Sequence, residues 1–182
     1  MLRSFLAGND HAFSSIYNKY ADRLFGYGAG LGFEREMLKD AIQDIFYVIY
    51  VRKHQLADVG NLKCYLFRML KNRLLDIYKS TLHNSEEEPS EEMSFTIKTT
   101  ILDDLIAEEE QVLLQGKIDA LLNTLTDRQR EAVYLRFMQE LEYEEIGHLL
   151  KMTPQAVRKL VFRAIKRLRN GNVPFYILLF AI

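Results

Sequence analysis

Apolar residues recur along this chain at helical spacing. Phe13, Ile16, Tyr17, Tyr20, Leu24 and Tyr27 share one face of a first helix. Gly26, Gly28, Gly30 and Gly32 follow, and glycine this dense predicts that the chain loosens there before the next element. A second helix is predicted over 34–52, with Leu38, Ala41, Ile42, Ile45, Phe46 and Ile49 inward. Its opposite face carries Asp40, Gln43, Asp44 and Tyr47, again one helical stripe. A loop over 54–61 leads to a third helix over 62–78, which turns Tyr65, Leu66, Met69, Leu70 and Ile77 inward. That helix exposes Lys63, Arg68, Lys71, Asn72, Arg73 and Lys79.

The periodicity then stops. From His83 to Glu92 the chain is polar, acidic and without an apolar stripe, so 83–103 reads as a mobile linker. Helical signals resume beyond it. Thr126 and Gln129 have the spacing of a capping box, a physical start signal for a helix. Tyr143, Ile146, Gly147 and Leu150 make a short amphipathic helix, and after a Lys151-Met152-Thr153 turn another begins at Pro154. Thr153 can cap it, and Pro154 sits where a missing N–H costs nothing. Ala156, Val157, Leu160, Val161, Ala164, Ile165 and Leu168 form its apolar stripe, while Gln155, Arg158, Lys159, Arg163, Lys166, Arg167 and Arg169 occupy the remainder.

Charge sharpens this picture. The net charge of −1 conceals a segregation. Glu86–Glu88, Glu91, Glu92, Asp103, Asp104 and Glu108–Glu110 face only one base, Lys98, whereas residues 151–170 carry no acid at all. A short capped helix, a tight turn and a basic amphipathic helix together are the layout of a DNA-binding helix-turn-helix. An isolated basic helix would more simply be a solvated surface; the preceding helix and turn favour DNA. The single cysteine, Cys64, excludes an internal disulfide and a cysteine-based zinc cluster. His11, His54, His83 and His148 lack ligand spacing, and no nucleophile, base and orienting group assemble, so neither a cofactor nor catalysis is expected. There is no signal-peptide core and no apolar run of the ~18 to 20 residues that span a bilayer, so the expected location is the cytoplasm.

The expected fold is all-α. Two small helical domains, 1–82 and 104–170, are joined by the acidic linker 83–103 and followed by an apolar tail, 171–182. The tail from Val173 to Ile182 is too short to cross a membrane, and its simplest role is packing on the protein's own domains. Docking of a partner and self-association are the alternatives.

Both halves together resemble the extracytoplasmic-function class of bacterial sigma factors, over about 5–170. The resemblance is carried by Gly8-Asn9-Asp10-His11-Ala12-Phe13 and by Asp40-Ala41-Ile42-Gln43-Asp44-Ile45-Phe46, similar to the family's D-x-x-Q-[ED]-x-F. It continues through Asn61-Leu62-Lys63-Cys64-Tyr65-Leu66-Phe67-Arg68-Met69-Leu70-Lys71-Asn72 and ends in the terminal helix-turn-helix. One such motif would be weak; all of them in this order are specific. Three positions depart from the pattern. Tyr65 stands where Trp is usual, and Glu142 where Ser or Thr is. Gly147 replaces Ala, which should cost about 1 kcal/mol of helix stability.

The resemblance implies a promoter-specificity subunit of RNA polymerase, with no chemistry or small-molecule substrate of its own. Thr153, Gln155, Arg158, Lys159 and Arg163 would read the minus-thirty-five element. Asn61, Lys63, Arg68, Lys71, Asn72 and Lys79 would bind and open the minus-ten element, with the 54–61 loop taking a flipped base. On spacing alone Asp40, Gln43, Asp44 and Tyr47 are an ordinary solvated face; the resemblance assigns them to the beta-prime clamp helices of core polymerase. The C-terminal domain would meet the beta flap. The acidic linker would run toward the RNA channel, and an anti-sigma protein, commonly membrane-bound, would hold the factor inactive. The rival reading is a stand-alone regulator, with an N-terminal sensor or dimerisation module and a helix-turn-helix that binds operators unaided.

Overall fold

The computed structural model describes residues 1–57, 59–82, 94–97 and 108–169, without the side chains of Thr81, Leu82 and 108–115. The linker's acidic stretch, Asp58 of the 54–61 loop and the apolar tail lie outside the described residues. The described residues contain helices and no strand, as the periodicity predicted. The chain divides into two compact units, Met1–Glu91 and Glu92–Ile182.

The first unit is built from α1 (Leu2–Leu6), α2 (Asp10–Gly30), α3 (Arg35–Val51), a 3-10 turn (Lys53–Leu56) and α4 (Leu62–Leu82). Helix α1 went unforeseen; it buries Phe5, whose ring lies 5.3 Å from that of Phe13 on α2. Asn9 starts α2, its side chain accepting the Ala12 N–H at 3.3 Å. The expected loosening at the glycines does not occur, because α2 continues unbroken to Gly30. Gly28 is there for packing: a Cβ at this position would collide with Leu38 of α3 and touch Leu74 of α4. The turn comes only at Gly32, with a φ of 86°.

Tyr17, expected inward, is exposed. On α4 the inward row is Leu66, Phe67, Leu70 and Leu74, and Tyr65, Met69 and Ile77, expected there, are only half-buried. Phe67 meets Tyr27 of α2 with ring centroids 5.2 Å apart. This shared core fixes α3 and α4 side by side and leaves their outer faces free to carry function.

The second unit comprises α5 (Glu108–Asn123), α6 (Asp127–Val133), a π-helical turn (Tyr134–Met138), α7 (Tyr143–Leu150) and α8 (Pro154–Arg169). The Thr126 capping box forms in both directions: the hydroxyl accepts the Gln129 N–H at 3.3 Å, and Gln129 Oε1 accepts the Thr126 N–H at 3.2 Å.

The expectation of a mobile linker throughout 83–103 needs correcting. Ser94–Ile97 belongs to this unit, with Phe95 and Ile97 buried and the Phe95 ring 5.3 Å from that of Tyr134. Asp127 fastens the segment by accepting the Phe95 N–H at 2.9 Å. Burial opposes the Asp127 charge, but the Phe95 N–H, the Arg130 guanidinium and the Ser94 hydroxyl outweigh it and hold the carboxyl below the usual aspartate range. Two apolar side chains in an acidic context, with Asp127 as acceptor for the Phe95 N–H, make a docked strap.

Candidate nucleic-acid interface

Helix α7 begins at Glu142, whose N–H donates to Glu145 Oε2 at 2.8 Å, so a carboxylate at each position serves the positive end of the helix. It ends at Lys151, which takes the left-handed conformation (φ 53°, ψ 45°) at a cost of roughly 1 kcal/mol for a residue with a Cβ. The chain doubles back at once, Met152 donating its N–H to the Gly147 carbonyl at 2.9 Å. A Cβ on Gly147 would stand 2.6 Å from the Met152 carbonyl oxygen, so the glycine that weakens α7 as a helix is what lets the turn close. Thr153 then caps α8, its hydroxyl accepting the Ala156 N–H at 3.2 Å.

Val157, Val161, Ala164 and Leu168 of α8 are buried against the unit. Gln155, Arg158, Lys159, Arg163 and Lys166 are exposed on the opposite arc. Phe162 stands among them, 67% exposed, four residues after Arg158 and three after Lys159. Arg167 is not part of this array: it reaches back to the Thr124 carbonyl at 3.0 Å and fastens α8 to the end of α5. Tyr143, the first residue of α7, has the Arg158 guanidinium 5.2 Å from its ring centroid and that of Arg136 at 4.9 Å.

On the first unit, Arg68, Asn72 and Lys79 are exposed and fall on one face of α4, where Arg68 lies 5.7 Å from the Tyr65 ring. Lys63 and Lys71 are half-buried. Lys63 leads the row continued by Phe67, Leu70 and Leu74, so α4 does not bring it to the Arg68 face. Asn61 is the cap of α4, accepting the Lys63 N–H at 2.9 Å and the Cys64 N–H at 3.3 Å.

Asp40, Gln43, Asp44 and Tyr47 all lie exposed on α3, with Tyr47 at 69%. Asp44, Tyr47, Asn72, Arg73 and Asp76 line one open groove between α3 and α4, across which Arg73 donates to Asp44 at 2.9 Å. No group of three His, Cys, Asp or Glu able to hold a metal occurs among the described residues. None of the described helices is long and apolar enough to cross a membrane.

Residues 115–168, which span the α6–α8 array, match the family model "Sigma-70, region 4". The chain is 24% identical over 163 residues to the ECF RNA polymerase sigma factor SigM of Bacillus subtilis (strain 168), covering 85% of this chain and 91% of the relative. It is 29% identical over 144 residues to the ECF RNA polymerase sigma factor ShbA of Streptomyces griseus, covering 76% and 73%. Residues 115–168 thus carry a sigma region 4, and most of the chain is similar to sigma factors of the extracytoplasmic-function class.

The same fold occurs in the sigma factor RpoE of Bartonella quintana, solved with the anti-sigma factor NepR, at a TM-score of 0.60 and 19% identity over 87% of this chain and 95% of that one. It occurs again in CnrH, solved with the cytosolic domain of CnrY, at a TM-score of 0.56 and 19% identity over 93% and 92%.

Gln155, Arg158, Lys159 and Arg163 lie exposed on α8, and Thr153 stands exposed just before them as its cap. Phe162, Tyr143 and Arg136 escaped the sequence reading. The 100° advance per residue would have placed Phe162 on the polar arc. The grouping of Tyr143 with Arg136 and Arg158 is tertiary, and nothing in the local sequence announces it.

Proposed function

We propose that this chain is a sigma factor that binds core RNA polymerase and directs promoter-specific transcription initiation. The observation that carries the reading is α8, a capped helix with its apolar stripe buried and Gln155, Arg158, Lys159, Phe162 and Arg163 turned outward on the segment that matches sigma region 4. An arginine can pair bidentately with guanine O6 and N7, a glutamine with adenine N6 and N7, and an exposed phenylalanine can meet a thymine methyl group. These are the readout chemistries of a major groove, and we assign them to the minus-thirty-five element.

Arg68, Asn72 and Lys79 on the outer face of α4 serve the minus-ten element. The basic residues neutralise phosphates, and Asn72 supplies a hydrogen-bonding group for a base. Asp40, Gln43, Asp44 and Tyr47 dock on the beta-prime clamp helices, with Tyr47 an exposed aromatic of the type that anchors interfaces. The second unit meets the beta flap. An anti-sigma protein regulates the factor, in keeping with the anti-sigma factor NepR in the solved RpoE complex, and the protein works in the cytoplasm.

The test is direct. Purified protein and core RNA polymerase are mixed and separated by gel filtration; co-elution at one copy per core is expected, and failure to co-elute at micromolar concentrations contradicts the proposal.

A further inference from the structure

We infer that Tyr143 is a positioning residue for promoter readout, a fixed aromatic plate that orients the Arg158 guanidinium toward a base edge. The inference rests on the reading of α8 given above and adds to it how one of its side chains is aimed.

Arg158 comes from the first turns of α8, while the ring it lies against comes from the first residue of α7, so the contact joins the two helices of the helix-turn-helix. The plate is itself immobilised. Arg136, on the π-helical turn, lies against the same ring. Arg136 is in turn held by Glu142 at 3.1 Å and donates to the Leu141 carbonyl at 2.8 Å. With both of these partners inside the protein, Arg136 serves as a clamp on the ring and not as a second reader. Glu142 also settles the electrostatics. Two guanidinium groups beside one ring repel each other, and the carboxylate paired with Arg136 offsets its charge, leaving Arg158 free to meet the ring's negative face.

A guanidinium stacked on an aromatic face keeps its in-plane N–H groups available, and bidentate pairing with guanine uses those in-plane donors. A long arginine otherwise explores many rotamers and loses them on binding. Contact with the Tyr143 ring removes part of that freedom beforehand, so the consequence is discrimination at one base pair in preference to general affinity. A lysine or arginine contacting phosphate would not need such a plate, since phosphate contact tolerates many geometries.

The experiment uses full-length protein with core polymerase and a promoter set in which each minus-thirty-five base pair is varied singly. Arg158→Ala identifies the position that Arg158 reads; if it changes no preference, the reading of Arg158 fails, and this inference with it. Where Arg158→Ala does flatten one position, Tyr143→Leu is expected to flatten the same position by about tenfold, and Tyr143→Phe, which keeps the ring, to restore it. Wild-type discrimination by Tyr143→Leu, or an equal loss on every promoter, overturns the positioning role while leaving Arg158 a reader. Should Tyr143→Leu fail to fold, side-chain NMR of the wild type decides: ring-current shifts and restricted motion are expected for Arg158 relative to Arg163, and equal mobility overturns the inference.

Discussion

Arg73 of α4 donates to Asp44 of α3 at 2.9 Å, so the acidic face assigned to polymerase and the helix assigned to promoter opening are joined by an ion pair. The two side chains are 48% and 56% exposed, and an exposed pair of this kind contributes about 0 to 1 kcal/mol. If Asp44 meets polymerase as proposed, that contact falls on a residue tied to the helix carrying Asn72.

Asp44→Lys is accordingly expected to lower core-polymerase affinity at least tenfold while costing the fold about 1 kcal/mol or less. Adding Arg73→Glu restores a pair of opposite charges without restoring the acidic face, so the double variant should regain stability and still bind poorly. Titration with labelled core enzyme beside a thermal melt checks both statements. Recovery of binding in the double variant would assign Asp44 to folding and remove it from the interface.

Asp127 makes a prediction about pH. Its folded carboxyl lies below the ordinary aspartate value, so the strap's fastening is fully present above about pH 4 and is lost as the pH falls through the folded value. Asp127→Asn removes the charge, and the stability gap from wild type, about 1 kcal/mol for this half-exposed group, should close on acidification. Asp127→Ala should also speed hydrogen exchange at the Phe95 amide. Unchanged exchange there would show that burial of Phe95 and Ile97 alone holds the strap.

Much of this architecture was legible in the sequence because its signals are local. Thr126 with Gln129, and Thr153 with Pro154, mark helix starts within four residues, and the stripe of Val157, Val161, Ala164 and Leu168 is a pattern on one helix. What was hidden depends on distant partners. Gly28 looks like a helix breaker until α3 places Leu38 against it. Phe95 and Ile97 look like part of an acidic linker until Asp127 and Tyr134 supply an acceptor and a ring. Asn61 fits a base pocket in the motif, but its side chain caps α4.

Gly147 puts two local rules in opposition. By helix propensity, Gly147→Ala should gain about 1 kcal/mol. The added Cβ, however, would meet the Met152 carbonyl oxygen at 2.6 Å, in a turn pinned by the Met152 N–H. Backbone cannot yield as a side-chain end can, so a net loss of about 1 to 2 kcal/mol is expected. A denaturant midpoint measures it, and a midpoint above wild type would show that the turn relaxes.

The central claim is that the chain reads promoters only as part of polymerase. A single helix-turn-helix lacks the paired half-site contacts that give dimeric regulators their affinity. The deciding measurement is a gel shift with a permanganate footprint on promoter DNA, at physiological salt, with and without core enzyme. The expected result is little specific binding by the protein alone, and with core enzyme a specific complex with reactive thymines around the minus-ten element. Tight sequence-specific binding by the free protein, with no strand opening when core is added, would contradict the account and leave a stand-alone regulator.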